Sequence, residues 1–190
     1  KRFEEAIRSL KTAISLKYDF AEAYFNIGSV FYEHADYRAS IQNFQQALKF
    51  KPEYFDALNN LGSAFRDVGE LEAALRSFRQ AVKIKPNSAS TYFNIGVVLH
   101  DQGDNEEAIN AYSKAILLKS NFAPFYNNLG VALKDTGDKK KAFEAYEKAL
   151  SINPDYKEAL NNIGVVLNSQ GKKREAIEAF KKALNLEPDY

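Results

Sequence analysis

The chain has 190 residues, 45% hydrophobic and 27% charged, the balance of an ordinary globular protein. Its formal net charge of +1 offers no field for capturing nucleic acid or an acidic membrane surface. It has no cysteine, which excludes disulfides and thiolate metal sites and leaves the redox compartment open, and no apolar run nears the roughly 18 residues that read as a membrane span.

Residues 1–20 carry Ala6, Leu10 and Ala13 at spacings of four and three, one face of a helix. From residue 21 the chain repeats in blocks of 34 residues: 21–54, 55–88, 89–122, 123–156 and 157–190. The period is set by Gly28, Gly62, Gly96, Gly130 and Gly164, and such a period marks stacked supersecondary units. Each block opens on an amphipathic helix, A. Four before each glycine stands Tyr24, Leu58, Tyr92, Tyr126 or Leu160, and one before stands Ile27, Leu61, Ile95, Leu129 or Ile163. Three after stands Phe31, Phe65, Leu99, Leu133 or Leu167, which completes an i, i+3, i+4, i+7 stripe.

Each block then breaks and resumes. Gly69, Gly103, Gly137 and Gly171 stand where a helix wants a left-handed residue past its end, and Ala35 takes that place in the first block. Asp36, Glu70, Asp104 and Asp138 follow, acids suited to the start of a second helix, B. The stripe of B runs through Ser40, Phe44 and Ala47 in the first block, and through Ala142, Tyr146 and Ala149 in the fourth. Pro52, Pro86, Pro154 and Pro188 close four blocks, and Ser120 takes that place in the third block. Pro124 falls in the first turn of an A helix, where its missing N–H costs little.

The Leu/Ile–Gly pair, the apolar residue three later, the Ala, Phe/Tyr and Ala of B and the terminal Pro resemble the tetratricopeptide repeat over the whole chain, with Tyr or Leu where that family usually has Trp. The resemblance implies an all-α, right-handed solenoid of five repeats in one continuous stack, with 1–20 as helix B of a truncated repeat. It also implies a polypeptide partner. The chain begins at Lys1, contains no methionine and ends without a polar capping helix, so a fragment or processed product is expected. Uncapped terminal repeats are expected to expose apolar surface and to promote end-to-end self-association.

Asparagine stands two before every repeat glycine: Asn26, Asn60, Asn94, Asn128 and Asn162. At 100° per residue that offset lies nearly opposite the centre of the apolar stripe. Asn is a mediocre residue inside a helix, so five copies are a repeated cost. Helices pack about 8–10 Å apart and an extended peptide advances about 3.3–3.6 Å per residue, so one Asn meets about every third peptide residue. A primary amide can pair with both groups of a peptide unit, whatever its side chain. A second lane lies seven residues on, at Glu33, Asp67, Asp101 and Asp135, with Ser169 in the last block. These acids favour a basic partner. The other readings are that the Asn row is inherited by duplication or bonds to a neighbouring helix, and that the acids cap helix B.

One tetratricopeptide subtype clamps chaperone C-terminal carboxylates with Lys and Arg on the A helices. Its offsets hold Phe25, Asn59, Phe93, Asn127 and Asn161, and Glu22, Asp56, Ser90, Pro124 and Glu158, so that clamp is absent. The unbroken Asn row, as in Asn59–Asn60–Leu61–Gly62, is similar to the superhelix of the O-linked N-acetylglucosamine transferases, which implies contact with a partner's backbone. No catalytic constellation is evident. His34 and His100 lie at different offsets two repeats apart, and every glycine is explained by packing or a helix end. No cofactor or metal is expected. Lys139–Lys141 and Lys172–Arg174 read as solvated helix-B surface. Three functions stay open: a peptide-binding scaffold, the substrate-recognition arm of a larger glycosyltransferase, and a self-assembling module.

Overall fold

The structure, a computed structural model, describes residues 20–186, so the helix expected around Ala6, Leu10 and Ala13 lies outside the described residues. Among those described, the regular elements are helices: α1 (Phe20–Glu33), α2 (Tyr37–Phe50), α3 (Phe55–Asp67), α4 (Leu71–Ile84), α5 (Ala89–Gln102), α6 (Asn105–Leu118), α7 (Ala123–Asp135), α8 (Lys139–Ile152), α9 (Lys157–Ser169) and α10 (Lys173–Leu186). The chain forms two compact units, residues 1–98 and 99–190, divided within α5.

In the first unit α1 packs on α2, α2 on α3 and α3 on α4. The glycine of each A helix sets the closeness of the pair. A Cβ on Gly28 would stand 2.7 Å from the Phe44 ring, and one on Gly62 would stand 2.7 Å from the Phe78 ring. The aromatic ring of B thus lies against bare backbone of A. Phe44, Leu61 and Ala64 form a buried cluster flanked by Phe25, Ile41 and Phe65. Burying one such ring contributes about 1.5–3 kcal/mol.

In the second unit α7 packs on α8, α9 on α10, and α6 and α8 on the A helix that follows each. Gly130 faces Tyr146 and Gly164 faces Phe180 in the same way, with a Cβ at either position only 2.5 Å from the ring. Tyr146, Ile163, Val166 and Leu167 lie in a shared core with Ala142, Ala176 and Ala179. Pro124 sits in the first turn of α7.

The turns between A and B need a left-handed residue. Gly69 adopts φ +80°, with Gly103, Gly137 and Gly171 alike, and Ala35 adopts φ +59° despite its Cβ. Of the acids expected at the start of B, Asp36 and Asp138 accept a backbone N–H, from Ala39 and Lys141. Glu70 and Asp104 hold the cap position without a side-chain cap bond and supply only negative charge to the helix start. Ile177 and Leu184 on α10 are exposed, yet Phe50 at 54% and Leu117 at 77% are more so, and apolar exposure is therefore not special to the last repeat.

Candidate polypeptide-binding face

The A helices are α1, α3, α5, α7 and α9. Asn26 is exposed, whereas Asn60, Asn94, Asn128 and Asn162 are half-buried. The row therefore runs along the border of the packed surface rather than opposite its centre. α1 meets α3 as well as its own B helix, and α7 meets α9 as well as its own, which widens the buried arc of these A helices beyond the single stripe read from the sequence. Asn26, Asn60 and Asn94 make no side-chain hydrogen bond among the described residues. Asn128 Nδ2 donates to the Pro124 carbonyl at 2.9 Å, one turn back on its own helix. Asn162 Nδ2 donates to Asn127 Oδ1 at 2.9 Å, across to the preceding A helix.

That last bond is one of a series joining successive A helices. Tyr32 Oη donates to Asp67 Oδ2 at 2.6 Å, which ties α1 to α3. Burial, and then the Asp67 hydrogen bond, push the Tyr32 hydroxyl up to about 12. Thr91 Oγ1 donates to Asn59 Oδ1 at 2.8 Å, which ties α3 to α5. Asn59 Nδ2 donates in turn to the Phe55 carbonyl at 3.2 Å. In the second unit His100 Nε2 lies 2.9 Å from Asp135 Oδ2.

The acidic lane is thus of two kinds. Asp67 is held by Tyr32 and by Arg66, whose Nη2 and Nε lie 2.8 and 3.2 Å from Oδ1. Asp135 is held by His100 and lies 3.5 Å from Lys134 Nζ. Glu33 and Asp101 are exposed and carry no hydrogen bond or ion pair among the described residues. None of the four caps a B helix; that place belongs to Asp36, Glu70, Asp104 and Asp138.

Sequence reasoning missed Tyr32, Asn59, Thr91 and Asn127 as members of this face. The doubled Asn59–Asn60 and Asn127–Asn128 were the available signal. The first Asn of each pair reaches the neighbouring helix, and Asn127 is only 6% exposed. Among the described residues no group of His, Asp and Glu could hold a metal ion, and no helix is long and apolar enough to cross a membrane.

Family models described as TPR repeat match residues 1–34, 62–103 and 98–137, and models described as tetratricopeptide repeat match 21–54, 123–156 and 158–190. The chain belongs to the tetratricopeptide repeat family. A crystal structure of MamA is 32% identical with a TM-score of 0.77, over 85% of this chain and 95% of that one. MamA from Desulfovibrio magneticus RS-1 is 21% identical with a TM-score of 0.82, over 90% and 97%. YrrB, described as a TPR protein with an unusual peptide-binding site, is 19% identical with a TM-score of 0.75, over 95% and 93%. The last two share the tetratricopeptide fold with this chain. No curated protein matches it. Tetratricopeptide proteins act as protein-interaction scaffolds, and the fold is generally a non-catalytic binding module.

Proposed function

We propose that the chain binds an extended polypeptide segment along the faces of its A helices, with the Asn row as the contact to the partner's main chain. The observation that carries the reading is that Asn26, Asn60 and Asn94 recur every 34 residues and leave both ends of their amides unused among the described residues. A carboxamide in that state can accept a peptide N–H and donate to a peptide C=O. Asn128 and Asn162 each spend one N–H internally and keep Oδ1 as an acceptor for the partner. At about 0.5–1.5 kcal/mol net per hydrogen bond, several contacts are needed to offset the ordering of the peptide, and affinity is modest.

Glu33 and Asp101 supply the preference for Lys and Arg in the partner, because Asp67 and Asp135 already have cationic or donor neighbours. The test selects peptides from a random display library with the wild-type chain, then measures their affinity for Asn26→Ala/Asn60→Ala/Asn94→Ala. A loss of tenfold or more, with the thermal midpoint little changed, is the expected result. Equal affinity for both proteins removes the amide row from the mechanism. Glu33→Lys with Asp101→Lys should lower the proportion of basic residues among selected peptides.

A further inference from the structure

In the first unit a cavity of about 390 Å³ opens where the end of α2, the turn after it, α3 and α4 meet. Leu48, Pro52, Leu58 and Ile84 line it, together with the exposed Glu53, Gln80 and Lys83. The repeat period shows what is missing from it. Leu58 holds the position that Tyr24, Tyr92 and Tyr126 hold in three other repeats, with Leu160 the second leucine of the column, and Ile84 is the counterpart of Phe50 and Ile152. In the first repeat the Tyr24 ring stacks on Phe50, with centroids 5.9 Å apart and planes 6° from parallel. In the fourth, Tyr126 and Ile152 pack on one buried alanine cluster, and Tyr126 Oη donates to the Ser120 carbonyl at 3.1 Å. At position 58 the side chain is a buried leucine, shorter than a tyrosine, and it lines the open volume.

We propose that this cavity is a docking site for a tyrosine side chain of a polypeptide partner. The incoming ring lies against Ile84, as Tyr24 lies against Phe50. Its hydroxyl donates to the carbonyl of Pro52, the counterpart of Ser120, which accepts no backbone hydrogen bond among the described residues. The charge at the rim is complementary. The Lys83 ammonium suits the negative face of an aromatic ring, and the chain already uses such pairs, with Lys51 Nζ 4.4 Å from the Tyr54 centroid and Lys85 Nζ 5.1 Å from that of Phe55. A phosphorylated tyrosine is disfavoured, since its dianion would meet the Pro52 carbonyl and the Glu53 carboxylate with only Lys83 to offset them. The site uses no member of the Asn row and stands independently of that reading.

The test titrates the intact chain with N-acetyl-tyrosinamide, its phosphotyrosine form, N-acetyl-phenylalaninamide and N-acetyl-leucinamide, following the methyl NMR signals of Leu48, Leu58 and Ile84. The tyrosine probe is expected to bind roughly two- to tenfold more tightly than the phenylalanine probe, the worth of one hydrogen bond. The leucine probe should bind more weakly than either, and the phosphotyrosine probe more weakly than the tyrosine probe. Leu58→Tyr should abolish binding and raise the thermal midpoint, because the ring then comes from the chain itself. Lys83→Gln, at an exposed position, should weaken both aromatic probes roughly two- to fivefold. The proposal is overturned by the absence of any saturable shift, by equal response to all probes, or by a folded Leu58→Tyr that binds as the wild type does.

Discussion

Ala35→Gly should stabilise the first helix pair by about 0.5–1 kcal/mol. Ala35 is held at φ +59°, where a side chain crowds its own backbone at a cost of about 1–2 kcal/mol. Glycine escapes that cost but loses about 0.5–1 kcal/mol more conformational freedom on folding, and the difference is the expected gain. Packing does not enter at the equivalent turns, because a Cβ on Gly69, Gly103, Gly137 or Gly171 would meet nothing within 4 Å. Hydrogen bonding does not differ either. Ala35 N–H donates to the Tyr32 carbonyl at 3.0 Å and Asp36 N–H to Phe31 at 3.0 Å, as Gly69 and Glu70 donate to Arg66 and Phe65 at 2.9 and 2.8 Å. Repeat arrays open piecemeal, so the assay is native-state hydrogen exchange rather than one melting curve. Amides of α1 and α2 should gain roughly two- to fivefold in protection, with those of α9 and α10 unchanged. Unchanged or lower protection in α1 and α2 would refute the argument that the left-handed alanine is strained.

Gly62→Ala brings a Cβ to 2.7 Å from the buried Phe78 ring. At an exposed helix site the change would gain about 1 kcal/mol, but overpacking here costs about 1–3 kcal/mol, so a net loss in urea midpoint is expected. Phe78→Leu in the same chain should recover part of it, and simple additivity of the two losses would count against the clash. Tyr146 Oη is buried without a hydrogen-bond partner among the described residues, and burial holds its pKa well above the usual phenol value. Tyr146→Phe should therefore raise stability by about 1 kcal/mol, and a measured loss would show that the hydroxyl has a partner. The Asp138 carboxyl is held below the usual carboxylate range, first by its side-chain hydrogen bond with Lys141 and then by the Lys141 backbone N–H. A depressed folded-state pKa stabilises above the ordinary carboxylate value and is lost as pH falls through the lowered one. The thermal-midpoint difference between wild type and Asp138→Asn should then vanish on acidification. A difference constant with pH would sink this account.

The helix pairs were legible because the period aligns like with like. Gly28, Gly62, Gly130 and Gly164 each face the aromatic residue sixteen positions later, and both rows are visible in the sequence. The candidate site was legible only in part. The Asn row could be found, but its half-burial could not, since that depends on a second neighbour helix which a single-helix projection ignores. The pairing of the acidic lane was hidden for another reason. Its partners come from one preceding position that varies from repeat to repeat, Tyr32 beside Asp67 and His100 beside Asp135. Residues that differ at an aligned position look like noise in a repeat. Leu58 is another such residue, one of two leucines beside three tyrosines at its aligned position, and it lines the cavity.

The side-chain bridges between successive A helices join residues only 32 or 35 positions apart. The entropy of closing a loop rises slowly with its length, so each junction costs nearly the same and none has to wait for a remote stretch of chain. Such an array can nucleate at any helix pair and zip outward. A ribosome releasing the polypeptide from its N-terminal side would deliver each segment close to when its neighbour is ready to receive it, which leaves little time for exposed apolar faces to find the wrong molecule.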